Sequence, residues 1–94
     1  MDINIKNTFK VTGRNFFVII TDADYNDLIN IKYVFDMQRK FSFPVYSVEW
    51  VNLLNSSMPG IILKYEKDED LILLEKMAEN YVIDVMPWKQ SSNI

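Results

Sequence analysis

Ile29-Asn30-Ile31-Lys32-Tyr33-Val34-Phe35-Asp36 is the stretch on which the fold class turns. Ile29, Ile31, Tyr33 and Phe35 alternate with Asn30, Lys32, Val34 and Asp36, which is the two-residue period of a strand with one buried face. Upstream, the continuous apolar run 16–20, Phe-Phe-Val-Ile-Ile, is rich in β-favouring side chains and predicts a strand buried on both faces. Earlier still, Ile3, Ile5, Phe9 and Val11 form one face of a first strand, with a break near Asn7 and a turn at Gly13. Residues 22–27 read as a polar loop.

Downstream, residues 36–40 turn the chain into a fourth strand over 41–51. Pro44 lacks a backbone donor and is expected at an edge or a bulge. The segment 52–60 holds many turn formers and closes with Pro59 and Gly60, after which 61–65 makes a fifth strand. One helical pattern occupies 68–80: Leu71, Leu74, Ala78 and Tyr81 recur at helical spacing. Asp68 suits the N-cap there, and Glu69 and Asp70 suit the positive end of the helix dipole. Residues 81–86 return to strand character, and Pro87 opens a polar tail over 87–94. The pattern predicts a mainly β chain: a small antiparallel β-barrel of about six strands with one short α-helix near the C-terminus.

A length of 94 residues matches a single domain over 1–94. With 49% hydrophobic residues the chain has ample material for a core, and the absence of cysteine leaves that core to hold the fold without disulfides or thiolate metal sites. The N-terminal residues lack a secretory signal pattern and no apolar run reaches the length of a membrane span, so a soluble cytoplasmic protein is expected. The net charge of −3 is unevenly spread: residues 48–94 carry eight acids and four bases, whereas residues 1–47 carry five and six. Free nucleic acid is disfavoured by this balance, because phosphate binding needs clustered Lys and Arg. A basic protein partner fits it.

Catalytic chemistry is poorly provided for. The chain has neither His nor Cys, removing the commonest general base and the thiol nucleophile, and it carries none of the glycine-rich phosphate loops or nucleophile elbows. A non-enzymatic protein is expected, with no cofactor and no metal. Asp22, Asp24 and Asn26 match the first, third and fifth positions of a calcium loop, but Asp27 stands where glycine is required and Tyr33 where the bidentate Glu belongs. Asn55-Ser56-Ser57 matches a glycosylation sequon by chance in a chain read as cytoplasmic.

Core packing accounts for Phe9, Phe16, Tyr33, Phe35, Phe41 and Phe43 on the apolar strand faces. Trp50 shares a strand face with Tyr46 and Val48, opposite Val45 and Val51, so one of these faces is expected to be partly open. Trp88 lies in the polar tail. Either tryptophan, beside acids, is a candidate anchor for a partner.

The opening Phe9-Lys10-Val11-Thr12-Gly13-Arg14 resembles that of the β-barrel domain that follows the GTPase domain in elongation factor Tu and its relatives. The stretch 43–51, FPVYSVEWV, is similar to a barrel strand of that family, and Pro59-Gly60-Ile61-Ile62-Leu63-Lys64 to the strand after it. Residues 67–77 stand where the family has a charged turn, and 81–86 match its closing strand. The resemblance spans residues 9–86. It implies a translation-protein barrel standing alone, without a GTPase domain and so without a GTP cycle. Asn15 replaces the second glycine of the family's opening, and the acids of 22–27 replace a glycine-rich turn.

Two functions are thereby expected. The first is a small acidic protein-binding module, an immunity-type inhibitor that neutralises a basic partner such as a nuclease toxin. Its partner-binding residues would be Asp22, Asp24, Asp27, Glu66, Asp68, Glu69, Asp70, Trp50 and Trp88, with the seven acids converging on one surface. The alternative is a translation-associated barrel that docks on tRNA or a ribosomal component. The oligomeric state is not legible in the sequence.

Overall fold

A computed structural model describes residues 1–36, 41–79 and 82–87. Its elements are β1 (Asp2–Val11), β2 (Phe16–Thr21), α1 (Tyr25–Leu28), β3 (Ile31–Asp36), β4 (Phe41–Asn52), β5 (Ser57–Lys64), α2 (Asp68–Ala78) and β6 (Val82–Pro87). The strands close in the order β1-β2-β5-β4-β3-β6, every neighbouring pair antiparallel. The expected six-stranded antiparallel barrel is what the chain forms. A second, one-turn helix, α1, occupies part of the segment read as a polar loop.

Inward-facing aliphatics fill the barrel. Ile19, Ile61, Leu63 and Val34 are fully buried together with Leu74 and Met77 of α2 and Leu28 of α1. β2 is buried on both faces, as its continuous apolar run predicts: Phe17 and Ile19 join the interior, while Val18 and Ile20 are buried on the other side of the strand. The cap of α2 differs from expectation. Lys67 is the N-cap, its carbonyl accepting from the N–H groups of Asp70 and Leu71, so Asp68 is already helical. Asp68, Glu69 and Asp70 all fall in the first turn, where the helix dipole favours acids. The helix ends at Ala78, and Tyr81 lies outside the described residues.

Among the described residues three bulges rotate the strand faces away from the simple alternation. On β1, Ile5 pairs with Thr21 but Asn7 with Ile20, so Lys6 is an extra residue; Ile3 and Ile5 face the core and Phe9 is turned outward and 41% exposed. On β3, Ile31 pairs with Pro87 and Tyr33 with Met86, which inserts Lys32 and turns Val34 and Asp36 inward while Tyr33 is exposed. On β4, Val45 pairs with Leu63 and Ser47 with Ile62, leaving Tyr46 as the extra residue on the surface. An inserted residue flips every later side chain to the other face, and it bends the strand as barrel closure requires. The expectation that Phe9 and Tyr33 are core residues is therefore corrected. Phe43 is buried, Phe16 and Phe35 are half-buried, and the side chain of Phe41 lies outside the described residues.

Gly13 has φ 86° and Asn15 φ 57° in the β1–β2 turn. The position where the resembling family has its second glycine thus adopts a left-handed conformation, which Asn tolerates better than most residues. Pro44 sits neither on an edge strand nor in the bulge. It pairs with Tyr33 and directly precedes Val45, the first β4 residue in register with β5, so its missing N–H falls where the β5 ladder has ended.

Candidate functional site

β2 carries the chain to one rim of the barrel, where the segment after it is organised by its own side chains. Thr21 Oγ1 accepts from the Ala23 N–H at 3.2 Å, and Asp24 Oδ1 accepts from the Asn26 N–H at 2.9 Å, capping α1. Short polar side chains favour such caps because they satisfy donors that the first turn leaves unpaired. The cap presents Tyr25 to β4: its ring stacks on Trp50 with centroids 5.1 Å apart and planes 14° apart, and its hydroxyl donates to the Val48 carbonyl at 3.4 Å. Trp50 nevertheless remains 56% exposed.

The acids at this rim are not equivalent. Asp22 pairs with Lys6 at 3.4 Å and Asp24 caps α1, so two of the acids expected to meet a partner also have a contact within the fold. Asp27 is exposed, and its carboxylate has no partner among the described residues. Glu49, next to Trp50, is exposed and accepts from Ser47 Oγ at 2.9 Å.

Glu66, Asp68, Glu69 and Asp70 do not join them. In the β2–β5 ladder Phe16 pairs with Lys64 and Ile20 with Gly60, so the end of β2 and the end of β5 lie at opposite rims. Four residue steps of strand, about 13 Å, separate those two strand ends. That exceeds the screening length of about 10 Å at 0.1 M salt. The expected convergence of seven carboxylates on one surface is therefore replaced by two separate groups. Trp88 lies outside the described residues.

The rim with α1 also carries a feature that the strand-by-strand reading missed. Beyond Gly60, the last β5 residue paired with β2, the β4–β5 hairpin continues through Trp50↔Pro59, Val51↔Met58 and Asn52↔Ser57. The turn is fastened by the Leu53 N–H donating to the Ser56 carbonyl at 2.7 Å and by Ser57 Oγ donating to Asn52 Oδ1 at 2.8 Å. Leu54 at its tip is 97% exposed and Leu53 38%. A signal was present: no charged residue occurs among the fourteen from Trp50 to Leu63, and two leucines stand together inside a run of turn formers.

Among the described residues no cluster of three or more His, Cys, Asp or Glu gathers where a metal could be held, and no helix is long and apolar enough to cross a membrane. A shallow cleft lined by Pro44, Val45, Tyr46, Lys64 and Glu66 opens where β4 parts from β5, with both charged residues exposed. Calcium should bind the 22–27 segment no more tightly than millimolar, because one carboxylate is spent on a helix cap and another on Lys6. Calorimetric titration giving a micromolar Kd would refute this. No protein-family model, curated protein or solved structure matches this chain.

Proposed function

We propose that this chain is a non-catalytic protein-binding module that recognises a basic partner through the α1 rim, in the manner of an immunity protein that neutralises a nuclease toxin. The observation that supports this reading is the half-exposed Tyr25–Trp50 stack, with the exposed Asp24 and Asp27 on the same short segment as Tyr25 and the exposed Glu49 next to Trp50 on β4. A rigid, half-exposed aromatic pair is the kind of group that anchors interfaces. Carboxylates beside it complement the Lys and Arg that a nuclease must present to phosphate, and they speed the encounter more than they tighten the complex. Glu66, Asp68, Glu69 and Asp70, at the other rim, have a sufficient explanation in the dipole of α2.

The test uses the immobilised chain to retain its partner from the source cell, followed by kinetics on the purified pair. Asp27→Lys with Glu49→Lys spares the α1 cap and should slow association about tenfold at low ionic strength, the difference vanishing at high salt. Trp50→Ala should raise the Kd about 30-fold, mostly through faster dissociation. Association that keeps its rate and its salt dependence in the double variant rules the acidic rim out. Retention of RNA or a ribosomal component would instead favour the translation-associated reading, whose support is the order of the segments that resemble the elongation-factor barrel.

A further inference from the structure

We infer that the tip of the β4–β5 hairpin is a second contact of the same interface: Leu54, with Leu53 behind it, inserts into an apolar pocket on the protein partner. The basic character of the rim around that pocket rests on the reading given under Proposed function; the pocket itself rests on the hairpin. A leucine 97% exposed contributes nothing to this fold, and it lies at the far end of a ribbon that continues past the end of β2 by three further residue pairs of β4 and β5. The ribbon is stiffened for presentation. Hydrogen bonds close its turn, Trp50 is stacked on Tyr25, and the Val51 side chain packs over the bare backbone of Gly60. Large apolar groups gathered on an exposed projection mark an interaction site.

Charge selects a protein over a lipid surface as the occupant. The fourteen residues from Trp50 to Leu63 carry no charge, so the ribbon offers no cation to a phosphate headgroup. Asp24 and Asp27 lie on the α1 segment whose Tyr25 stacks on Trp50 at the ribbon's base, and Glu49 precedes Trp50 on β4; an anionic membrane would repel these exposed acids and a pocket bordered by Lys or Arg would attract them.

The full chain carrying photoreactive p-benzoylphenylalanine in place of Leu54 is irradiated in the source cell, with the same group in place of the exposed Ile72 on α2 as the control. The crosslinked protein is then purified and titrated with the unmodified chain and with Leu54→Ser and Ile72→Ser. The expected result is a protein crosslinked from position 54 and not from 72, whose Kd rises about 30-fold in Leu54→Ser and stays within twofold in Ile72→Ser. Equal thermal midpoints for the three chains exclude unfolding as the cause. Absence of a position-specific crosslink, or a Kd unmoved by Leu54→Ser, overturns the inference. So does Leu54-dependent flotation of the chain with phosphatidylcholine or phosphatidylcholine/phosphatidylserine vesicles. Salt-dependent binding that ignores Leu54→Ser removes the tip and leaves the acidic-rim reading standing. Leu54-dependent binding with no salt dependence supports the tip and removes the basic partner.

Discussion

Leu74→Ala should lower the unfolding midpoint by about 10 to 30 °C, with Ile72→Ala, on the exposed side of the same helix, moving it by only a few degrees. Leu74 is fully buried at the mouth of the barrel, where α2 inserts it beside Met77. Truncating a buried Leu to Ala costs about 2 to 5 kcal/mol through lost transfer energy and the cavity left behind. In a domain of this size each kcal/mol is worth about 4 to 8 °C. Ile72 is 52% exposed, so its truncation leaves no cavity. Thermal melts followed by circular dichroism decide the matter. A shift in Leu74→Ala as small as that of Ile72→Ala would mean that α2 is an ornament on the barrel and not its stopper.

Gly60 gives the second large effect, and its sign is diagnostic. Glycine inside a strand is ordinarily a weakness, so replacing it by alanine would on backbone grounds stabilise by roughly 0.5 to 1 kcal/mol. Here the added Cβ would come 2.6 Å from Val51 Cγ2 and 3.4 Å from Val18 Cγ1. Valine has few rotamers to retreat into. Gly60→Ala should therefore destabilise by about 1 to 3 kcal/mol, the usual cost of overpacking. Adding Val51→Ala should recover much of that loss, so that the double variant is more stable than Gly60→Ala alone. Denaturant unfolding of the four chains completes the cycle, and a stabilised Gly60→Ala would show that Val51 moves aside freely.

Strand positions were legible because local pattern and burial agree over most of the chain. The doubly buried β2 and the helical spacing of Leu74 can be read from residue order alone. Which face each residue shows was less legible, and for one physical cause. Lys6, Lys32 and Tyr46 are the bulged residues, none of them a glycine or any other mark of irregularity, and each reverses the facing of the residues after it. Hence Phe9 and Tyr33, apolar and in alternating positions, ended outside. At the site, Trp50 could be singled out from its strand and Asp24 from its loop, but their meeting through Tyr25 depends on a one-turn helix too short to show a period. The separation of the acids was a matter of topology: β2 and β5 had to be paired before their ends could be assigned to opposite rims.

The burial of β2 on both faces has a consequence for the nascent and refolding chain. Phe-Phe-Val-Ile-Ile-Thr pairs on one side with β1, its neighbour in sequence, and on the other with β5, more than forty residues later, as in Phe17↔Leu63. Until that distant strand arrives, an uncharged six-residue segment without proline or glycine offers a free edge, the composition that favours self-association into stacked sheets. Contacts so far apart in sequence form slowly, which lengthens the exposure. Arg14 stands two residues before the segment and Asp22 directly after it, in the positions of charged gatekeepers that oppose the stacking of identical strands. Asp22 therefore guards against aggregation at a stage when there is not yet a barrel for it to decorate.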